Sequence, residues 1–200
     1  MRPVPTEPPG EIHSIAGALG VNSPRLEWAA VQLYFKAKER PGRPFDVLRA
    51  AAVYASCRLL GVPKTLKDVS AATGVRAGDI AREYRRMLLD EDLRVRPPDP
   101  IAFVPDIARK ADLEPTVERR AVEIISTLKE ARAFAGRAPT VFAAASLYVA
   151  YSELHPIRAD GQQTQKSIGD AAGVTEVSVR NLSHAIRSSL AWAAERVNTS

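Results

Sequence analysis

Residues 42–54, GRPFDVLRAAAVY, return without a gap as residues 136–148, GRAPTVFAAASLY, at an offset of 94 residues. Six of the thirteen positions are identical, among them the Gly-Arg pair, two alanines and the final tyrosine. After a five-residue insertion the match resumes at an offset of 99 residues, where Thr65 returns as Thr164. Such self-similarity indicates the duplication of one supersecondary unit, so we predict a chain of two related halves.

Each half is predicted to contain five helices. Apolar residues recur at helical spacing, and Gly and Pro interrupt the pattern at intervals typical of short loops. We therefore predict an all-α protein of two tandem five-helix repeats, each ending in a helix-turn-helix. The predicted helices are 12–20, 25–38, 45–60, 65–73, 77–90, 101–111, 116–133, 140–154, 164–172 and 176–194. The two stretches quoted above fall on the third helix of each half, and their small residues on all faces predict a central, buried helix.

Prolines set the predicted domain boundaries. The stretch RVRPPDP at 94–100 has three prolines in four positions and cannot continue a helix. It predicts a linker between a first repeat at 11–93 and a second at 101–195. The four prolines within residues 1–10 predict a disordered leader.

The composition excludes several classes of protein. A single cysteine, Cys57, and three histidines rule out a disulfide framework and a zinc site built from four cysteines or from paired cysteines and histidines. Cys57 itself is predicted to be a small buried residue. No apolar stretch reaches the roughly 20 residues of a membrane span and no signal sequence opens the chain, so we expect a soluble intracellular protein. No nucleophile with a base, phosphate loop or metal-ligand spacing is present, so we predict no enzyme, no metal and no cofactor.

Residues 164–180 predict a helix-turn-helix. Thr164 is placed to cap a short helix, Gly173 to turn the chain, and Thr175 to cap a longer helix whose start can enter a major groove. At that start we expect four residues to be exposed and Val179 to turn inward; the four are Glu176, Val177, Ser178 and Arg180. Arg180 has the forked guanidinium that pairs with guanine or phosphate, and Val177 suits a thymine methyl. The pattern alone leaves DNA contact and a purely packing role both open.

The corresponding unit of the first half is less suited to reading bases. Its recognition positions, at the start of the second helix of the unit, are Arg76, Ala77, Gly78 and Asp79. We therefore expect the second unit to read sequence. The charge agrees: of 28 cations 21 are Arg, the net charge is +5, and residues 1–100 carry +4 against +1 for residues 101–200. The first half is thus expected to depend more on non-specific attraction to phosphates.

Three segments together resemble the core of the archaeal transcription initiation factor B family, the counterpart of eukaryotic transcription factor IIB. They are AVYASCRLLGVPKTL at 52–66, LRVRPPDP with FVP within 93–105, and TQKSIGDAAGVTEVSVRN at 164–181. The resemblance covers about residues 11–195. It implies two cyclin-like repeats in a monomeric factor that binds TATA-binding protein and promoter DNA, in the cytoplasm at an archaeal nucleoid or in a eukaryotic nucleus.

The resemblance also implies DNA-contacting residues. Val177 and Arg180 match the valine and arginine with which family members read the B recognition element upstream of the TATA box. Arg43 matches an arginine that contacts DNA downstream of the TATA box, and Arg137 is its equivalent in the second repeat, where we infer a phosphate contact. Further DNA contacts are expected around the recognition helix, from Lys166, Thr175, Glu176 and Ser178.

A second set of residues is implied to contact TATA-binding protein. Arg58 matches a basic residue that faces the acidic stirrup of that protein. Family members commonly have lysines at the start of the first repeat's fifth helix, where this chain has Ala77 and Gly78. Either nearby arginines substitute for them, or the contact is weaker; the candidates are Arg76, Arg82, Arg85 and Arg86.

One feature of the family has no counterpart in the sequence. Full-length members open with a zinc ribbon and a finger-like segment, so the resemblance implies that recruitment of RNA polymerase is weakened or lost. Two alternatives stay open. One is a ribbon-less paralogue that competes at promoters; the other is a cyclin-like scaffold that binds a protein partner and no DNA.

Overall fold

The computed structural model describes residues 10–130, 137–155 and 164–197 of the 200-residue chain. This described part is helical, without a β-strand, so the all-α prediction is confirmed. None of its helices is long and apolar enough to cross a bilayer. A short 3-10 helix, Pro100–Phe103, precedes the sixth α-helix. The α-helices are α1 (Gly10–Ala18), α2 (Pro24–Lys38), α3 (Phe45–Leu59), α4 (Leu66–Thr73), α5 (Ala77–Asp90), α6 (Val104–Lys110), α7 (Pro115–Glu130), α8 (Pro139–Leu154), α9 (Gln165–Ala172) and α10 (Glu176–Val197).

Most helix ends lie within one residue of the prediction, but three helices differ by more: α10 continues to Val197, three residues beyond its predicted end, and α1 and the sixth helix differ as follows. α1 ends early because the chain turns at Gly20, whose φ of +66° is a left-handed conformation that favours glycine. The helix predicted over 101–111 begins instead as the 3-10 turn. There the side chain of Asp99 accepts a hydrogen bond of 3.0 Å from the amide of Ile101.

Some predictions fall on residues outside the described part of the chain. The leader predicted at 1–10 lies there except for Gly10, which begins α1. The last three residues of the helix predicted over 116–133 also lie there.

The chain divides into two compact units between Pro97 and Pro98, inside the stretch predicted as a linker. Each unit has its own hydrophobic core. In the first unit α3 contacts α1, α2, α4 and α5, and residues 50–57 are all buried. In the second unit α8 contacts α6, α7, α9 and α10, and residues 142–147 are all buried. Small side chains allow this close approach of neighbouring helices, so the quoted repeats are the central helices, as predicted.

Cys57 lies on α3 with no exposed surface. Burial raises the pKa of its thiol to about 11, which outweighs the opposing effect of the Lys64 ammonium. Since the thiolate is the reactive form, Cys57 is a packing residue.

Candidate nucleic-acid interface

The turn between α9 and α10 is fixed by a cap at each end of α9. The Oγ1 of Thr164 accepts a hydrogen bond of 3.1 Å from the amide of Ser167, whose Oγ in turn accepts one of 2.9 Å from the amide of Thr164. This reciprocal pair is a capping box. At the other end Gly173 has a φ of +70°, and its amide donates to the carbonyl of Asp170 at 3.1 Å. The chain therefore leaves α9 in one defined direction.

Thr175 orients the first turn of α10. Its Oγ1 accepts a hydrogen bond of 3.2 Å from the amide of Ser178 and lies 2.7 Å from the Oγ of Ser178. These bonds satisfy a backbone amide that a helix start would leave open. Both hydroxyls expected to contact DNA thus serve the cap in this structure.

The first turns of α10 have one face exposed to solvent and the opposite face buried. Val179 has no exposed surface, as its place on the helix predicts. Val177, two positions earlier, is 51% exposed, and Glu176 and Arg180 are also exposed as expected. Ser178, expected to be exposed, is instead half-buried because it packs against the Thr175 cap. Among the described residues Arg180 has no ion-pair or hydrogen-bond partner. The helix therefore presents an apolar side chain and an unengaged guanidinium one turn apart.

The exposed face of α10 continues beyond the predicted residues. Asn181 and His184 are exposed and follow Val177 at intervals of four and seven, so they share its side of the helix. An asparagine side chain can pair with adenine in a major groove. Neither residue is among those predicted from the sequence, although the helical spacing from Val177 would have found them.

Lys166 and Arg137 are exposed elsewhere in the second unit. Lys166 lies in the first turn of α9, and Arg137 lies in the segment that leads into α8. Contacts of both with DNA stay predictions.

Arg43 is engaged within the first unit. Its Nη1 lies 2.7 Å from Oε1 of Glu83, and its Nη2 lies 2.9 Å from Oδ2 of Asp90. Its side chain is only 13% exposed. The DNA contact expected of Arg43 stays a prediction, and this guanidinium would have to leave two carboxylates to make it.

Arg58 is also turned toward its own unit. It donates hydrogen bonds to the carbonyl of Arg96 at 3.3 Å and to the hydroxyl of Tyr54 at 3.4 Å. These bonds join α3 to the chain that leaves the first repeat. The contact of Arg58 with a protein partner stays a prediction.

The arginines of α5 form the exposed basic surface of the first unit. The side chain of Arg76 is 84% exposed and that of Arg82 is 62% exposed, and both pair with Asp79. The hydrogen bond from Arg76 lowers the pKa of the Asp79 carboxyl. Arg85 and Arg86 are exposed on the same helix. Asp79 offsets part of this charge: α5 itself has three arginines and three acids, and Arg76 at its N-cap adds a fourth cation.

Comparison with known proteins gives the family. A model of the transcription factor TFIIB repeat matches the chain twice, at residues 4–89 and 94–187. The transcription initiation factor IIB of Archaeoglobus fulgidus is 37% identical over 174 residues, which cover 86% of this chain and 52% of that protein. Those of Methanothermococcus thermolithotrophicus and Pyrodictium occultum are each 39% identical, over 86% and 76% of this chain and 50% and 48% of their own lengths.

The chain therefore belongs to the transcription factor TFIIB family and consists of two of its repeats. This confirms the resemblance, the cyclin-like repeat fold and the expectation of a family of transcription factors rather than enzymes. The chain spans about half the length of the curated relatives it matches.

Proposed function

We propose that this chain acts in transcription initiation at the nucleoid, by binding TATA-binding protein on promoter DNA and reading the upstream B recognition element with α10. The observation that carries the proposal is the start of α10. There Val177 and Arg180 face outward, while the Thr175 cap and the buried Val179 hold the helix in place. The family supports the general role, since the relatives are named transcription initiation factors.

Base reading would use two kinds of contact. The guanidinium of Arg180 can donate two hydrogen bonds to O6 and N7 of a guanine, which no other base accepts in the same geometry. The methyl groups of Val177 can pack on the C5-methyl group of a thymine. Glu176 can accept a hydrogen bond from the N4 amino group of cytosine, and it opposes close approach to phosphates. The face therefore selects a base pattern rather than DNA in general.

The α5 arginines would supply the contact with TATA-binding protein. Arg76 at the N-cap of α5 and Arg82 and Arg85 within the helix are all exposed, and an acidic surface is the natural complement of such a group of cations. Exposed cations of this kind speed association and lose strength in salt. We therefore assign α5 to docking and α10 to sequence recognition.

The test is a gel shift with an archaeal TATA-binding protein and promoter duplexes that carry either an intact or a scrambled upstream element. The wild-type chain is expected to prefer the intact element. Arg180→Ala is expected to lose about 1–3 kcal/mol of this discrimination, or roughly 5- to 150-fold. Arg119→Ala removes another exposed arginine, from α7, and is expected to leave this discrimination unchanged.

Two results would contradict parts of the proposal. Equal discrimination by wild type and Arg180→Ala shows that Arg180 does not read bases. The absence of a shift under any condition favours the cyclin-like scaffold that binds proteins and no DNA.

A further inference from the structure

Arg43 and Arg137 are equivalent residues with different surroundings. Each follows a glycine in the segment that leads into the central helix of its repeat, at the offset of 94 residues that relates the two halves. Identical sequence at this point suggests identical roles. The structure separates them.

Arg43 is locked between two carboxylates of α5. Glu83 and Asp90 are seven residues apart, hence on one side of the helix, and they accept at 2.7 Å and 2.9 Å from separate nitrogens of the same guanidinium. The Glu83 side chain is only 4% exposed. Its other cation, Arg86, is 3.5 Å away and 54% exposed, and Asp90 also pairs with Arg40. Withdrawal of Arg43 would leave the buried Glu83 without its close partner, which is costly.

The second repeat lacks both carboxylates. The helix-turn-helix offset of 99 residues places Leu182 at the position of Glu83 and Ser189 at the position of Asp90. Burial supports this register, because Glu83 and Leu182 are 3% and 4% exposed. The flanking core positions agree too, since Met87 is 1% exposed and its equivalent Ile186 is fully buried.

Arg137 is correspondingly unengaged. It is exposed, and it forms no ion pair with the part of the chain that the structure describes. Arg137 would therefore break no ion pair with these residues when it binds a phosphate. Arg43, its equivalent in the first repeat, would have to break two.

We propose that the two loop arginines have diverged: Arg137 binds a DNA phosphate, whereas Glu83 and Asp90 withhold Arg43 from DNA and make it a structural lock of the first repeat. The proposal rests on the proposed function, because it requires that the chain bind DNA. It assigns the non-specific loop contact to the second repeat, which also carries the helix proposed to read bases. It also predicts that neutralising the two carboxylates frees Arg43 for a phosphate.

The experiment measures how binding of each variant to a preformed complex of TATA-binding protein and promoter DNA depends on salt. Each phosphate contact contributes about 0.9 to the slope of log K against log salt concentration. Arg137→Ala is expected to lower that slope by about 0.9, and Arg43→Ala to leave it unchanged. The double variant Glu83→Gln with Asp90→Asn is expected to raise it by about 0.9, and adding Arg43→Gln should remove the gain.

A matched control separates release of Arg43 from the loss of negative charge. Asp92→Asn with Asp112→Asn removes two exposed carboxylates at positions of positive φ, where asparagine is well tolerated. Its salt slope should stay at the wild-type value. The triple variant Glu83→Gln, Asp90→Asn, Arg43→Gln has no buried carboxylate left without its arginine. Its binding can therefore be measured even if Arg43→Ala alone unfolds the chain.

The outcomes are distinguishable. If the wild-type chain does not bind the preformed complex, the proposed function fails and this inference fails with it. If wild type binds but Arg43→Ala lowers the slope as much as Arg137→Ala does, or more, the inference alone is overturned. The inference is also overturned if the slope raised by Glu83→Gln with Asp90→Asn stays raised after Arg43→Gln is added.

Discussion

The amide of Val174 donates a hydrogen bond of 2.8 Å to the carbonyl of Gly169, and a methyl group on Gly169 would stand 3.1 Å from the carbonyl oxygen of Val174. Because that neighbour is backbone, it cannot swing aside as a flexible side chain would. Replacing glycine by alanine within a helix usually stabilises it by about 1 kcal/mol. We expect Gly169→Ala instead to destabilise the second repeat by about 1–2 kcal/mol, because its methyl group comes too close to that oxygen. Thermal unfolding followed by circular dichroism measures this.

Gly78 provides the matched control for Gly169. It lies near the start of α5, and a Cβ there would meet nothing within 4 Å. Gly78→Ala is expected to be neutral or to stabilise by up to about 1 kcal/mol. Ser70 occupies the equivalent of Gly169 in the first repeat, so the close approach is a property of the second turn. Equal stabilisation by both substitutions would contradict it.

Loss of Arg43 should unfold the first repeat more easily. Arg43→Ala leaves Glu83 buried without its partner at 2.7 Å, which typically costs about 3–5 kcal/mol. Arg137→Ala, at the equivalent exposed position, should change stability by less than about 0.5 kcal/mol. Urea unfolding of the two variants provides the comparison. Adding Glu83→Gln to Arg43→Ala should recover part of the loss, and no recovery would mean that the unpaired carboxylate is not its cause.

Val177 should matter for binding and not for folding. It is 51% exposed, so Val177→Ala is expected to leave the free energy of unfolding within about 0.5 kcal/mol of wild type. Burial of its lost methyl groups against a base is worth about 1 kcal/mol, or roughly fivefold in affinity. Fluorescence anisotropy with the intact upstream element measures the change. Leu154→Ala, at a 45% exposed residue of α8, is the control, and an equal loss from it would contradict a specific contact by Val177.

Cys57 predicts a loss of stability in alkaline solution. Burial raises the pKa of its thiol from the ordinary 9.0 to about 11, so above pH 9 the unfolded chain releases a proton that the folded chain retains. Stability is fully present below pH 9 and falls progressively from pH 9 to pH 11, by up to about 3 kcal/mol. Unfolding of wild type and Cys57→Ala across this range isolates the contribution of the thiol. Parallel curves for the two would refute it.

The fold was accessible from the sequence because its determinants are local or repeated. Helical spacing places Val179 inside and Val177 outside, and the caps at Thr164 and Thr175 follow from residue type. The lock on Arg43 was not accessible. Its partners Glu83 and Asp90 are 40 and 47 residues away, and no local pattern shows which charges tertiary packing will bring together.

The orientation of Arg58 escaped prediction for the same reason. Its hydrogen bond to the carbonyl of Arg96 joins residues 38 apart and involves a backbone acceptor that every residue carries. The sequence shows that an arginine follows Cys57, but the side on which it finds an acceptor depends on the path of the chain after α5.

The two helix-turn-helix units keep nearly the same backbone beneath unlike side chains. Thr65 and Thr164 have φ of −93° and −94° with the same ψ of 163°, and Gly74 and Gly173 have φ of 71° and 70°. The ψ of these glycines differ, at −4° and 25°, so the turns are similar rather than identical, and the segments that follow them open with Arg-Ala-Gly-Asp and with Thr-Glu-Val-Ser. The base preference proposed for α10 would therefore belong to a handful of side chains, and exchanging these side chains between the two helix-turn-helix units would be expected to move that preference with them.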